Sequence, residues 1–368
     1  MERILRCTFP NDRIDLKPVD IALLIQEPID KLPEGYGLYC LSPEIYGQFE
    51  DRPFTIEWTE DLVPGSFLSV KSEGDKISVR LLPTADTSER TLFTTGACNS
   101  NCIMCPYTEH DRLQAEAESI QHLTRFVELM DPYADYLCIT GGEPTLLKED
   151  FLSLLQAVKN HFKDTLVHIL TNGRTFCYRD FYADYQKVRP YKTLLGIPLH
   201  ASFDSLHDKI SQSSGSFSQT THGLDILHRY GEHIEIRIVT SALNKENLSD
   251  LARFIAERYP NVRHVCFMGL EMMGNSMVNR NTVWCSYSSL MPYIQEAAKI
   301  LLRSAIPVQL YNYPLCLVGK KYLPLYRRSI SSWKVVYLPE CESCKCKEDC
   351  GGFFRTTAVM PDIRVIPF

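Results

Sequence analysis

The sequence predicts an α/β protein in three parts. Residues 91–285 alternate short apolar strands with helical stretches, residues 1–90 hold closely spaced β-rich runs, and residues 286–368 gather cysteines. Alternating βα units imply parallel strands joined by right-handed crossovers. At 368 residues the chain is long enough for a large core and more than one folding unit. Its 45% hydrophobic and 23% charged residues are ordinary for a globular protein.

Taken in order, residues 36–40, 54–58, 67–70 and 77–82 are short runs rich in β-branched and aromatic side chains. Pro64-Gly65, Glu73-Gly74 and Pro83 separate them, which suggests a small β-rich domain, with residues 72–75 as a hairpin loop. Nothing in this part carries chemistry. Beyond it, strands are expected at 92–94, 136–140, 166–170, 194–202, 234–239 and 264–268, and helices at 113–130, 151–161, 222–230 and 248–258. Asn247 or Ser249 is placed to cap the last helix. A Rossmann-type sheet is the structural alternative, but the chain has no G-x-G-x-x-G.

Charge and hydropathy exclude several classes. The net charge is −6 with no Lys/Arg run, so nucleic acid is not an expected partner. The first residues lack the apolar region of a signal peptide, and no apolar stretch approaches the ~18 residues needed to span a bilayer. The expected location is the cytoplasm. Fourteen cysteines in such a chain argue for metal or redox centres rather than disulfides.

Cys98, Cys102 and Cys105 are spaced C-x3-C-x2-C. Three thiolates so close can hold three irons of a [4Fe–4S] cube and leave the fourth iron open. Electron-transfer clusters normally have four cysteines, so an open iron suits direct binding of a small molecule. A zinc site is the alternative, although zinc favours paired C-x2-C knuckles with four protein ligands. A second motif, Gly141-Gly142-Glu143-Pro144, ends the strand at 136–140.

Together the two motifs, in this order and spacing, resemble the radical S-adenosylmethionine (SAM) superfamily. The resemblance implies a partial (β/α)6 TIM-like barrel, with function at the C-terminal ends of strands. It also implies that SAM binds the open iron, that one electron splits SAM to methionine and a 5′-deoxyadenosyl radical, and that this radical takes a hydrogen atom from substrate. The cofactor performs the hard step, so no side chain is assigned a catalytic role.

Gly141 and Gly142 can present backbone carbonyls to the SAM amino group, and Glu143 can accept from it or be structural. Asn172 resembles the third-strand turn of the family, with a plain Asx turn as the alternative. Ser202 resembles a position that holds the SAM ribose. Arg237 alternates with apolar residues and so takes one face, where it meets the SAM carboxylate if it points inward and water if it points outward. The family often has an aromatic residue before the third cysteine. Here it is Met104, and Tyr107 is the replacement candidate for covering adenine. His200 is read as a core histidine. Cys40, Cys138, Cys177, Cys266 and Cys285 are read as small core hydrophobes.

The tail carries Cys316, Cys341, Cys344, Cys346 and Cys350. The run from Cys341 resembles SPASM and twitch domains, which implies an auxiliary [4Fe–4S] cluster on Cys316, Cys341, Cys344 and Cys350. Cys346 competes for a place, and Phe354 stands where a full SPASM pattern has a further cysteine. A structural zinc remains the alternative. Barrel and tail together most resemble the His-Xaa-Ser system maturase of the HxsC type. That implies a precursor peptide with His-Xaa-Ser repeats as substrate, a sister radical SAM maturase, and an electron donor such as flavodoxin or ferredoxin. A radical SAM enzyme of small molecules and a non-enzymatic iron–sulfur electron carrier are the other readings. The second has no use for an open iron.

Overall fold

A computed structural model of the protein describes residues 90–114, 119–130 and 132–368, preceded by six strand segments between residues 4 and 81. These are β1 (Ile4–Thr8), β2 (Val19–Ile25), β3 (Leu38–Leu41), β4 (Pro53–Thr55), β5 (Phe67–Glu73) and β6 (Lys76–Leu81). They form one sheet in the order β4-β1-β3-β2-β5-β6. β1 and β2 are additions to the sequence reading. β5 and β6 pair antiparallel with Glu73 opposite Lys76, the register of a two-residue hairpin. The loop residues 74 and 75 lie outside the described residues.

The second sheet contains β7 (Arg90–Phe93), β8 (Tyr136–Thr140), β9 (Leu166–Leu170), β10 (Lys192–Pro198), β11 (Ile234–Val239), β12 (His264–Met268), β13 (Val308–Tyr311) and β14 (Tyr326–Arg327). Its order follows the chain from β7 to β14. The pairings β7–β8 and β10 through β14 are parallel. Six strands are expected from sequence and eight are present. Among the described residues no pairing joins β14 to β7, so this is an open, partial barrel. In the tail, β15 (Val335–Val336) and β16 (Phe353–Phe354) pair antiparallel.

The helix expected at 222–230 begins earlier, at Ser216, and two further elements differ. The helix expected over 113–130 is two helices, Glu109–Gln114 and Ile120–Leu129. The Ser119 side chain accepts from the backbone of His122 and caps the second. The strand expected over 194–202 ends at Pro198, leaving His200 and Ser202 in the loop beyond it.

The chain divides into two compact units, Met1–Thr95 with Ala117–His168 and Tyr185–Thr193, and Gly96–Glu116 with Ile169–Asp184 and Leu194–Phe368. In the first, helix Glu149–His161 buries Phe151, Leu154, Leu155 and Val158, a single stripe at 3.6-residue spacing. In the second, helix Leu248–Arg258 buries Leu248, Leu251, Ala252 and Ile255 at the same spacing. On β11, Ile234, Ile236 and Ile238 are wholly buried and alternate with Glu235 and Arg237.

Gly223, inside helix Ser216–Arg229, faces the carbonyl oxygen of Gly173, which a Cβ would strike. Helix propensity alone favours Gly223→Ala by about 1 kcal/mol. The clash reverses the sign, and the expected outcome is a loss of about 1–3 kcal/mol. A lower denaturant midpoint at unchanged slope would show it.

Candidate functional site

The loop after β7 carries Cys98, Cys102 and Cys105, all half-buried free thiols. The Cys102 thiol is pushed up to about 12, first by burial and then by the neighbouring Cys105 and Cys98. Cys102 therefore resists ionising beside its neighbours, and a bound metal would supply the positive charge that lets a thiolate form there, so the trio fits iron ligation. Met104 between them is 6% exposed and packs with Ile210, Leu270, Met272, Val283 and Met360. It anchors the loop in the core, which explains why this position is not an aromatic facing a ligand. Tyr107 is 45% exposed just beyond the cysteines, and the Gly274 Cα region packs on Pro106 and Tyr107 so closely that only glycine fits there.

Polar side chains hold the loop from several directions. Asn172 closes an Asx turn by accepting from the Arg174 backbone at 3.0 Å, and its amide donates to Asn99 Oδ1 at 2.6 Å. This is the Asx turn named as the alternative for Asn172, and it is tied to the residue after Cys98. Asn275 donates to Asn101 Oδ1 at 2.9 Å and to the Cys102 carbonyl at 3.1 Å. Asn101 and Ile103 backbone N–H groups donate to the Ser211 and Ile210 carbonyls. Thr108 and Asp111 cap each other reciprocally at 3.0 Å, starting helix Glu109–Gln114 directly after the cysteines. Asn275, Arg112 and Arg174 were not singled out by the sequence. Their partners lie far along the chain or carry no local pattern.

Gly141 and Gly142 follow β8. The Gly142 N–H donates to the Thr95 carbonyl at 2.6 Å, and a Cβ on Gly141 would sit 2.6 Å from the same oxygen. Glycine is therefore required by the close approach of the β7 end. Glu143 is fully buried, and its Oε1 accepts from the Thr145 backbone at 3.1 Å and hydroxyl at 2.7 Å. That oxygen caps the short helix Pro144–Leu147.

Ser202 exchanges two bonds with Asn247: its N–H donates to Asn247 Oδ1 at 2.9 Å, and its hydroxyl accepts from Asn247 Nδ2 at 2.8 Å. Asn247 therefore makes no side-chain cap for helix Leu248–Arg258, which is the correction to its expected role. Arg237 pairs with Glu235 on its own strand, and Glu235 Oε2 meets His264 Nε2 at 2.8 Å. Glu235, His264 and Cys266 converge near the N-terminal ends of β11 and β12, the end of such a sheet associated with stability rather than catalysis.

His200 and His207 are 3% exposed and stack at 5.4 Å. His207 Nδ1 accepts from the His200 N–H at 3.2 Å, so protonating it breaks a bond. Burial holds His200 well below the usual range and His207 down to about 4. Because the folded pKa of His207 lies below the unfolded value of 6.5, its contribution is complete above pH 6.5 and is lost as pH falls toward 4. From pH 7 to 5.5 the loss is about 1 kcal/mol for this group. His207→Gln is expected to flatten that part of the pH dependence in chemical denaturation.

In the tail, Cys316, Cys341, Cys344, Cys346 and Cys350 line one cavity with Pro314, Tyr337 and Phe353; its free space, including the part open to solvent, is about 360 Å³. Burial raises Cys316 and Cys341, and Cys350 and Cys341 act further on Cys316, while Cys350 and Cys344 act on Cys341. The backbone N–H groups of Leu315 and Gly352 donate to Cys350 Sγ at 3.3 and 3.4 Å. Four thiols are thus linked by proximity, and the donors are those a thiolate would use. This set suits a metal or cluster with four sulfur ligands. Cys138 and Cys266 are buried, as expected of core cysteines, whereas Cys177 and Cys285 are only half-buried. Cys40 is a β3 residue whose side chain lies outside the described residues.

Residues 92–269 match the model of the radical SAM superfamily. The chain therefore carries a radical SAM domain, and the reading of it as an enzyme stands on the same match. A protein of Methanocaldococcus jannaschii named as a candidate glycyl-radical enzyme activating enzyme is 33% identical over 90 residues, 23% of this chain and 24% of the relative. Among solved structures, Streptococcus suis SuiB bound to precursor peptide SuiA superposes with a TM-score of 0.49 at 15% identity, covering 62% of this chain and 49% of that one. A radical SAM methyltransferase from Sphaerobacter thermophilus gives a TM-score of 0.44 at 15% identity, covering 67% and 70%. The chain spans about a quarter of the curated relative and about half of SuiB. No described helix is long and apolar enough to cross a membrane.

Proposed function

We propose that the chain is a radical SAM maturase of a ribosomally made precursor peptide, of the His-Xaa-Ser repeat type, with two [4Fe–4S] clusters. The supporting observation is the pairing of a three-thiol loop inside the radical SAM domain with a separate tail cavity lined by five cysteines. Cys98, Cys102 and Cys105 hold the first cluster. Cys316, Cys341, Cys344 and Cys350 hold the second, the set the tail's resemblance implies, with Cys346 beside them in the same cavity. When bound, the first cluster supplies the single electron that splits SAM and releases the radical.

The remaining work falls to the chain. Gly141 and Gly142 offer the SAM amino group a close backbone, Ser202 stands at the ribose position, and Tyr107 covers the adenine. Asn172 keeps the cysteine loop in place through Asn99. Co-expression with a His-Xaa-Ser precursor peptide and mass spectrometry of the peptide test the substrate. A mass change dependent on Cys98, Cys102 and Cys105 supports it. An unchanged peptide beside active SAM cleavage would direct the reading to a small-molecule substrate.

A further inference from the structure

Two buried arginines grip the loop that carries Cys98, Cys102 and Cys105, and neither has a carboxylate partner among the described residues. Arg112 is 7% exposed. Its Nη1 donates to Cys105 Sγ at 3.5 Å, and its Nη2 donates to the Ser100 carbonyl at 3.4 Å and Asn101 Oδ1 at 3.3 Å. Arg174 is 9% exposed and donates to Gln219 Oε1, the Asn99 carbonyl, Ser100 Oγ and Ser213 Oγ. One difference separates them: Arg112 touches a sulfur, whereas Arg174 ties the loop at Asn99 and Ser100 to Ser213 and Gln219.

A buried cation without a counter-charge is costly, and partial neutralisation by carbonyl oxygens does not remove the cost. The counter-charge can come from what the loop carries. A cube held by three thiolates bears a net negative charge, and adding an electron makes it more negative. Hydrogen bonds to the sulfurs and nearby charge are among the factors that set such a potential. A fixed guanidinium at Cys105 favours the reduced state.

We propose that Arg112 is a positioning residue for the cluster on Cys98, Cys102 and Cys105: through Cys105 it compensates the cluster's charge and raises its one-electron reduction potential, while Arg174 holds the loop's shape. The Thr108–Asp111 cap fixes the start of the helix that carries Arg112 and so keeps the guanidinium on the sulfur. The inference rests on the radical SAM reading of these three cysteines.

The test is an anaerobic redox titration of the full chain, reconstituted with iron and sulfide, with the electron supplied by dithionite and the reduced cluster followed by EPR. The relevant signal is the one that changes when SAM is added. Arg112→Lys keeps the charge, and Arg112→Gln and Arg112→Met remove it. At one solution potential, the Gln and Met variants are expected to show a reduced-to-oxidised ratio at least tenfold below wild type, which is about 59 mV for a one-electron couple. The Lys variant is expected to stay near wild type. Arg174→Met is expected to lower iron content without moving the potential of the cluster that remains. Iron retained by the Lys variant and lost by Gln and Met would also support charge compensation. Equal potentials in all four proteins would overturn the proposal, as would a Lys variant that shifts or loses iron as much as the others. Absence of any SAM-responsive signal in wild type would refute the underlying reading instead.

Discussion

Replacing Cys98, Cys102 and Cys105 together by alanine is expected to reduce formation of 5′-deoxyadenosine from SAM to background. It is also expected to remove about four irons and four sulfides of the roughly eight of each that two cubes require. The reason is local. These three thiols sit on one loop, where the proposal puts the first cluster, and Cys102 already feels both neighbours. The loop's other anchors, the buried Met104 and the Asn275 bonds, remain in the variant. The chain should therefore fold, and loss of activity would report on the ligands rather than on stability. Iron and sulfide analysis beside chromatography of the products gives both readouts. Unchanged cleavage would rule out the assignment.

The second large effect belongs to the tail. Cys344→Ala is expected to remove the other cube, lowering the load to about four irons. Uncoupled SAM cleavage should continue and peptide modification should stop, because the first cluster's ligands are intact. Bound metal also contributes folding free energy, so this variant is expected to be less stable to heat. Cys346→Ala is the comparison, since Cys346 lines the same cavity and competes for a ligand place. A full iron load in Cys344→Ala with loss of iron in Cys346→Ala would exchange the two assignments. Stoichiometric zinc in the tail would replace the cluster altogether.

Much of the sheet could be read in advance. β8, β9, β11 and β12 have the predicted bounds, because a strand buried in a parallel sheet is a short apolar run with little ambiguity. β13 is Val308–Tyr311, half polar, and lies beyond the 17-residue helix Tyr287–Arg303. β14 has two residues, too few to carry any period. The strand expected through Ser202 ends at Pro198: the buried Leu199 and Ala201 prolong the apolar run in sequence, but the Leu199 N–H bond to the Arg237 carbonyl is the last one to the neighbouring strand.

The cysteine loop could be picked out from spacing alone, since its three thiols are neighbours in sequence. Arg112 and Arg174 were not. A buried arginine shows no pattern of its own, and Arg174 meets Ser100 across 74 residues. Glu143 could be singled out but not assigned, because its bond to Thr145 is only two residues long and looks the same in a ligand site and in a plain turn.

The central claim is that the chain splits SAM by electron transfer from a cluster on Cys98, Cys102 and Cys105. The direct measurement is product analysis after wild-type protein, reconstituted without oxygen, is mixed with SAM and dithionite. The account predicts 5′-deoxyadenosine and methionine in equal amounts, formed only when reductant is present. Protein that holds its full iron and sulfide yet leaves SAM intact under reduction would contradict it.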